Sequence, residues 1–215
     1  VYAGGDDVFL LAPWDRVPRL AQHIRQDLSD YTAGENRLGL SAGMAFIGGK
    51  YPIHQAAKDA ADALELAKRR PGKDSFAFLG TPWPWGDFQQ LSAKCHSLLQ
   101  IVGQGNSVAG ATDGPQAILQ LLMQLTMQRP VSGSRARRSS VAASANRPLW
   151  GPWHWQGAYQ LTRMAERYEK SKPNLSKAIC DIRDNLLDKD NCAHLSEWGT
   201  AARWAQLFAR KEKQN

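Results

Sequence analysis

Residues 1–13 read VYAGGDDVFLLAP, and their interpretation decides the rest of the chain. Two glycines and two adjacent carboxylates separate β-prone segments, so the stretch predicts a tight hairpin turn. Gly4 and Gly5 supply the positive φ such turns require. Asp6 and Asp7 would stand where the second strand begins. Neighbouring carboxylates repel unless something cancels their charge. A divalent cation does so, and hard oxygen ligands suit magnesium, which binds through one or two carboxylates plus substrate phosphates. Side chains alternate faces along a strand, so one of the two points squarely at a shared ion unless the turn twists. Ordinary turn chemistry also uses Gly and Asp, and the metal reading draws its strength from the surrounding pattern.

That pattern alternates strand and helix signals over residues 1–80. VFLL at 8–11 predicts a short buried strand. From Pro18 to Tyr31, Leu20, Ala21, Ile24, Leu28 and Tyr31 recur at helical spacing, and proline suits a first turn. RLGLSAGMAFI (37–47) switches to period two. Leu38, Leu40, Ala42, Met44 and Phe46 share one face; Gly39, Ser41, Gly43 and Ala45 share the other, nearly bare face, which admits a helix or a ligand close to the backbone. A second helix follows Pro52, with Ile53, Ala56, Ala57, Ala60, Leu64 and Ala67 on one stripe, and stops at Pro71 and Gly72. SFAFLG (75–80) predicts another strand. The expected plan is α+β, with helices on one face of a largely antiparallel sheet.

From TPWPWGDF (81–88) the signals become helical. Apolar stripes fall at Phe88, Leu91, Cys95, Leu98 and Leu99; at Ile118, Leu121, Leu122 and Leu125; at Leu161, Ala165 and Tyr168; at Ala178, Ile179, Ile182 and Leu186; and from Leu195 to Phe208. These are core faces. Two polar stretches interrupt them, at 103–114 and 129–148, and the segment 130–148 reads as a mobile loop. The expected domains are therefore 1–80 and an all-α domain at 81–215.

The 215 residues, 43% apolar and 22% charged, match soluble globular proteins. No apolar run approaches the roughly 20 residues of a membrane span. Cys95, Cys180 and Cys192 form no CxxC pair, which points to free thiols in a reducing cytoplasm. His23, His54, His96, His154 and His194 are scattered, without zinc-ligand spacing. The net charge of +7 is unevenly placed: residues 1–80 balance ten basic against ten acidic side chains, leaving the whole excess to 81–215. Such asymmetry favours an acidic or nucleic-acid partner there. The arginines at 135–138 are candidates for backbone phosphates. Trp83, Trp85, Trp150, Trp153 and Trp155 offer either base stacking or, more ordinarily, core packing.

YAGGDDVFLL, GLSAGMAFI, KYPIHQAAKDAADALELAKRRPGKDSFAFLG and PWPWGDFQQL together resemble the catalytic palm of the large subunit of type III CRISPR–Cas effector complexes, closer to the Csm than to the Cmr type. The likeness continues more weakly through LWGPWHWQGAYQLTRMAER (149–167). It implies a ferredoxin-like palm related to GGDEF cyclases, followed by a helical domain. It implies magnesium- or manganese-dependent conversion of ATP to cyclic oligoadenylates when target RNA is held, with other effector subunits, crRNA, target RNA and ATP as partners and no membrane. On this resemblance Asp6 and Asp7 are the catalytic, metal-binding acids, and Gly4 and Gly5 the turn at the nucleotide. Lys68 would meet the triphosphate, although a cation in a last helical turn also serves the helix dipole. Ser41, on the bare face, is a further nucleotide-binding candidate, while Arg69, Arg70 and Lys73 read as a solvated basic run. The family's palm has an acid-bearing strand ahead of the hairpin, with a second palm and often an HD nuclease upstream. The chain is therefore expected to be an incomplete, C-terminal piece with an incomplete ferredoxin-like palm, inactive alone. The GGDD turn would also permit a diguanylate cyclase, and the helical half a non-catalytic scaffold.

Overall fold

The computed structural model describes residues 2–35, 38–103, 116–128, 152–188 and 194–212. The chain divides into two units, 1–90 and 91–215. The second strand of the carboxy-terminal hairpin of the first unit and the 3₁₀ turn after it thus fall beyond the expected division at residue 80. The expected loop at 130–148, the arginines at 135–138, Trp150 and Cys192 lie outside the described residues.

The first unit opens with a hairpin of β1 (Tyr2–Gly4) and β2 (Asp7–Phe9), followed by helix α1 (Val17–Tyr31). Then come β3 (Ala42–Gly43), helix α2 (Ile53–Lys68), β4 (Ser75–Phe78) and β5 (Thr81–Pro84), with a 3₁₀ turn at Trp85–Asp87. The strands form two sheets rather than one. The hairpin pairs only within itself, and a three-stranded sheet has the order β3-β4-β5, with β3 parallel to β4 and β4 antiparallel to β5. The expectation of a single, largely antiparallel sheet is corrected accordingly.

Three local readings change with it. VFLL is no buried strand: β2 ends at Phe9, and Val8 and Leu11 are exposed. Of the described part of the alternating run, 38–47, only two residues are strand, because Gly39, Gly43 and the small side chains between them offer little to hold a longer ladder. The TPWP segment is a strand, not the start of helical structure. Its turn is Leu79-Gly80, both at positive φ, the signature of a two-residue type I′ connection.

The core of this unit is β4, buried along its whole length. Phe76 meets the rings of Trp85 at 4.9 Å and Phe88 at 5.6 Å, and Phe78 meets Phe46 edge-on at 5.5 Å. Helix α2 covers the sheet with an alanine face, burying Ala56 and Ala67. The bare strand face is answered here. A Cβ on Gly43 would stand 2.2 Å from the Leu64 nitrogen and 2.4 Å from the Ala60 carbonyl, so the helix backbone rests directly on the strand. On the opposite flank Asp74 receives a two-pronged bond from Arg25 of α1, at 2.8 and 2.9 Å, and a third from the Leu40 amide at 3.0 Å. One carboxylate thus ties α1 to the segments entering β3 and β4.

The second unit is helical. It comprises most of α3 (Phe88–Val102), then α4 (Ala117–Met127), α5 (Pro152–Tyr168), α6 (Pro173–Leu186) and α7 (His194–Glu212). The stripes read from the sequence are its inner faces: Leu98, Ile118, Leu122, Leu161 and Ile179 are fully buried. Helix α7 is buried on several sides, with Ala201, Ala202 and Ala205 excluded from solvent. Gly199 faces Thr126 so closely that a Cβ would fall 2.0 Å from its hydroxyl oxygen, which sets the α4–α7 spacing.

Candidate metal and nucleotide site

The GGDD segment is a two-residue hairpin. Gly4 pairs with Asp7, leaving Gly5 and Asp6 as the corner. Gly5 has φ +63° and Asp6 is not among the residues with positive φ, the pattern of a type II′ turn, which wants glycine at its first central position. Gly4 has another use. The Tyr2 ring leans along the strand over it, and a Cβ at residue 4 would meet the phenol oxygen at 3.2 Å.

The carboxylates of Asp6, in the corner, and Asp7, first in β2, are both exposed. Neither has an ion-pair or hydrogen-bond partner among the described residues, and no group of three or more His, Cys, Asp or Glu that could hold a metal occurs among them. The donor set is two adjacent hard oxygens. It fits magnesium held by one or two carboxylates with phosphates and water completing the shell, and it does not fit an all-protein cage.

The other candidates lie around the end of α2. Lys68 is in the last turn, where its charge complements the helix dipole, and its ammonium is 3.5 Å from Glu65. That exposed pair is weak and leaves the lysine available. The Ser41 hydroxyl donates to the Lys73 carbonyl, joining the bare strand face to the turn after α2. Lys73 and Gly72 both adopt positive φ in that turn. Arg69 and Lys73 are exposed, and the Arg70 guanidinium reaches the Pro82 carbonyl at 3.4 Å. Ser41 and Lys73 are thus brought together, whereas no hydrogen bond or ion pair among the described residues joins Lys68 to Asp6 or Asp7.

Several polar clusters escaped the sequence reading. Besides the Arg25–Asp74 fork, the Tyr51 hydroxyl donates to Asp59 at 2.6 Å and Gln55 to the same carboxylate at 2.9 Å, holding Asp59 below its usual range. In the helical unit, Lys94 of α3 donates to Glu197 of α7 and lies 3.2 Å from His194 Nδ1, which is itself 3.1 Å from Glu197. All three are buried, and the lysine also stands 5.2 Å over the Trp198 ring. Burial pushes the Glu197 carboxyl up, but the bonds from Lys94 and His194 outweigh it and hold it low. The His194–Glu197 spacing of three was visible in the sequence; Lys94, a hundred residues away, was not.

Comparison with known proteins comes to the same segment. The family described as Cas10/Cmr2, second palm domain, matches residues 1–77. A single-strand-specific deoxyribonuclease Cas10/Csm1 of a subtype III-A CRISPR system, from Mycobacterium tuberculosis, is 28% identical over 137 residues, 64% of this chain and 16% of that protein. Its counterpart from Thermococcus onnurineus is 34% identical over 92 residues, 43% of this chain and 12% of the relative. The Cmr subunit Cmr2 of Pyrococcus furiosus is 38% identical over 81 residues, 36% and 9% respectively. The chain therefore spans about a sixth or less of the length of these relatives. No solved structure gives a significant match.

Proposed function

We propose, from the match of residues 1–77 to the family described as Cas10/Cmr2, second palm domain, that the chain supplies part of the nucleotidyl-transfer centre of a type III CRISPR effector large subunit. The substrate is ATP and the product a cyclic oligoadenylate, made when the assembled effector holds target RNA on its crRNA. The observation that carries this reading is the intact Gly-Gly-Asp-Asp corner within the segment that matches the palm family.

In this role Asp6 and Asp7 hold magnesium or manganese against the triphosphate. The bound ion would stabilise charge on the phosphates and lower the pKa of the attacking hydroxyl. The protein's own share is placement. Gly5 turns the chain so that both carboxylates stand clear of neighbouring side chains. The Tyr2 ring over Gly4 braces the first strand, and the hydrogen-bonded Ser41 fixes the Lys73 turn beside the end of α2. Lys68, bound only loosely to Glu65, is free to exchange that carboxylate for a phosphate. Two acids are a small ligand set, which supports a centre completed by further groups of the effector.

The test is the paired substitution Asp6→Ala and Asp7→Ala in the whole effector. ATP conversion is expected to fall by at least a hundred-fold while RNA-guided assembly persists. Unchanged conversion would reject the catalytic reading and leave a scaffold. Nucleotide preference, ATP against GTP, separates it from a diguanylate cyclase.

A further inference from the structure

Of the tryptophans singled out in the sequence, the structure separates two that are neighbours. Trp153 is buried, whereas Trp155 is 61% exposed on α5 and is followed one turn later by Tyr159, 62% exposed. Four residues further, Arg163 continues the same stripe, with its side chain largely in solvent. Arg183 of α6 reaches Thr162 on this face at 3.2 Å, but its guanidinium is held by Asp184 at 2.8 Å and is not free for a ligand. The helix thus presents two aromatic residues about 6 Å apart along its axis, with Arg163 at one end.

We propose that this face of α5 binds single-stranded nucleic acid, Trp155 and Tyr159 stacking on bases and Arg163 meeting backbone phosphate. The chemistry of the patch selects this occupant. Its exposed or half-exposed neighbours are Gln156, Ala158, Gln160, Thr162 and Glu166, so it lacks the large aliphatic surround of a protein-docking patch. The half of the chain that carries it holds the whole net charge of +7. The Arg163–Glu166 pair is long, 3.7 Å, and exposed, so it yields readily to a phosphate. Bases in a duplex are stacked about 3.4 Å apart and hide their faces; ring surfaces this far apart and open to solvent suit unpaired bases.

The experiment measures binding of the full chain to fluorescent twenty-nucleotide oligo(dT) and oligo(U), and to a duplex of equal length, by anisotropy at two salt concentrations. Trp155→Ala with Tyr159→Ala should weaken single-strand binding about ten-fold or more and leave duplex binding unchanged. Trp155→Phe should retain most of it. Arg163→Gln should flatten the salt dependence. Tyr31→Ala, at an exposed ring of α1, should change nothing. Equal loss for single strand and duplex, no loss in the aromatic double variant, or no measurable binding by the unmodified chain would overturn the proposal. So would self-association of the chain that the aromatic substitutions abolish in sedimentation.

Discussion

At residue 43 the absence of a side chain is a structural requirement. Replacing Gly43 with alanine drives a methyl into the backbone of α2, where no rotamer can yield, and the helix must lift from the strand. A loss of about 2–3 kcal/mol is expected, readable as a shifted urea midpoint with an unchanged slope. Asp74 is the second residue with a clear signature. Burial pushes its carboxyl up, but the Arg25 fork and the Leu40 amide overcome this and hold it below its usual range. A carboxyl depressed by folding contributes its stabilisation above its unfolded pKa, about 4. That contribution declines as the pH falls through the lower folded value. Asp74→Asn should therefore be less stable than the parent at pH 7, and the difference should shrink in acid melts as the pH falls below about 4. A constant difference across that range would show that the ionised form is not what matters.

Among the elements of the described residues, the α3–α7 contact is held by buried charge. Removing Lys94 takes the ammonium from a buried Glu197 and leaves it the His194 ring. Lys94→Met should cost about 3–5 kcal/mol, and the double variant Lys94→Met, Glu197→Leu should recover most of it. Thermal melts of the two singles and the double give the coupling directly. This contact was illegible in the sequence because a lone lysine on an apolar helical stripe looks like a solvated tail. The helices themselves were legible, since a 3.6-residue apolar period survives in any globular setting: Ile118, Leu122 and Leu125 alone outline α4. Strands fared worse. The run 37–47 has perfect alternation and yields two strand residues, because alternation reports which side chains could share a face and says nothing of whether a partner strand lies alongside. β5 was missed because its turn puts Leu79, a residue that resists positive φ, where glycine or asparagine is expected. For the hairpin the turn chemistry was legible but its register was not: within it Gly5 alone takes positive φ, Gly4 is the last residue of β1, and Asp6 is the second corner residue rather than part of β2.

On the scale of the whole molecule, the two units have separate cores, one around Phe76, Phe78 and Trp83, the other around Leu122, Leu161, Ile179 and Leu195. Damage should stay local. Gly43→Ala is expected to speed hydrogen exchange in α2 and β4 by an order of magnitude or more while α4 and α7 keep their protection. Lys94→Met should do the reverse, and mass spectrometry of peptic fragments reads both. The division also separates chemistries. The first unit, which carries none of the net positive charge, holds the acids proposed to take a cation, and the second, which carries the excess, presents the α5 face.

The corner at Gly5 constrains handedness more than volume. An ordinary L-methyl there would meet no atom within 4 Å, yet the backbone takes a dihedral that suits a mirror-image residue. Chemical synthesis and ligation can introduce D-alanine at it. The inverted stereocentre should stiffen the bend that its natural enantiomer would spoil, so that the two diastereomers, identical in composition, part company in hairpin order as seen by NMR.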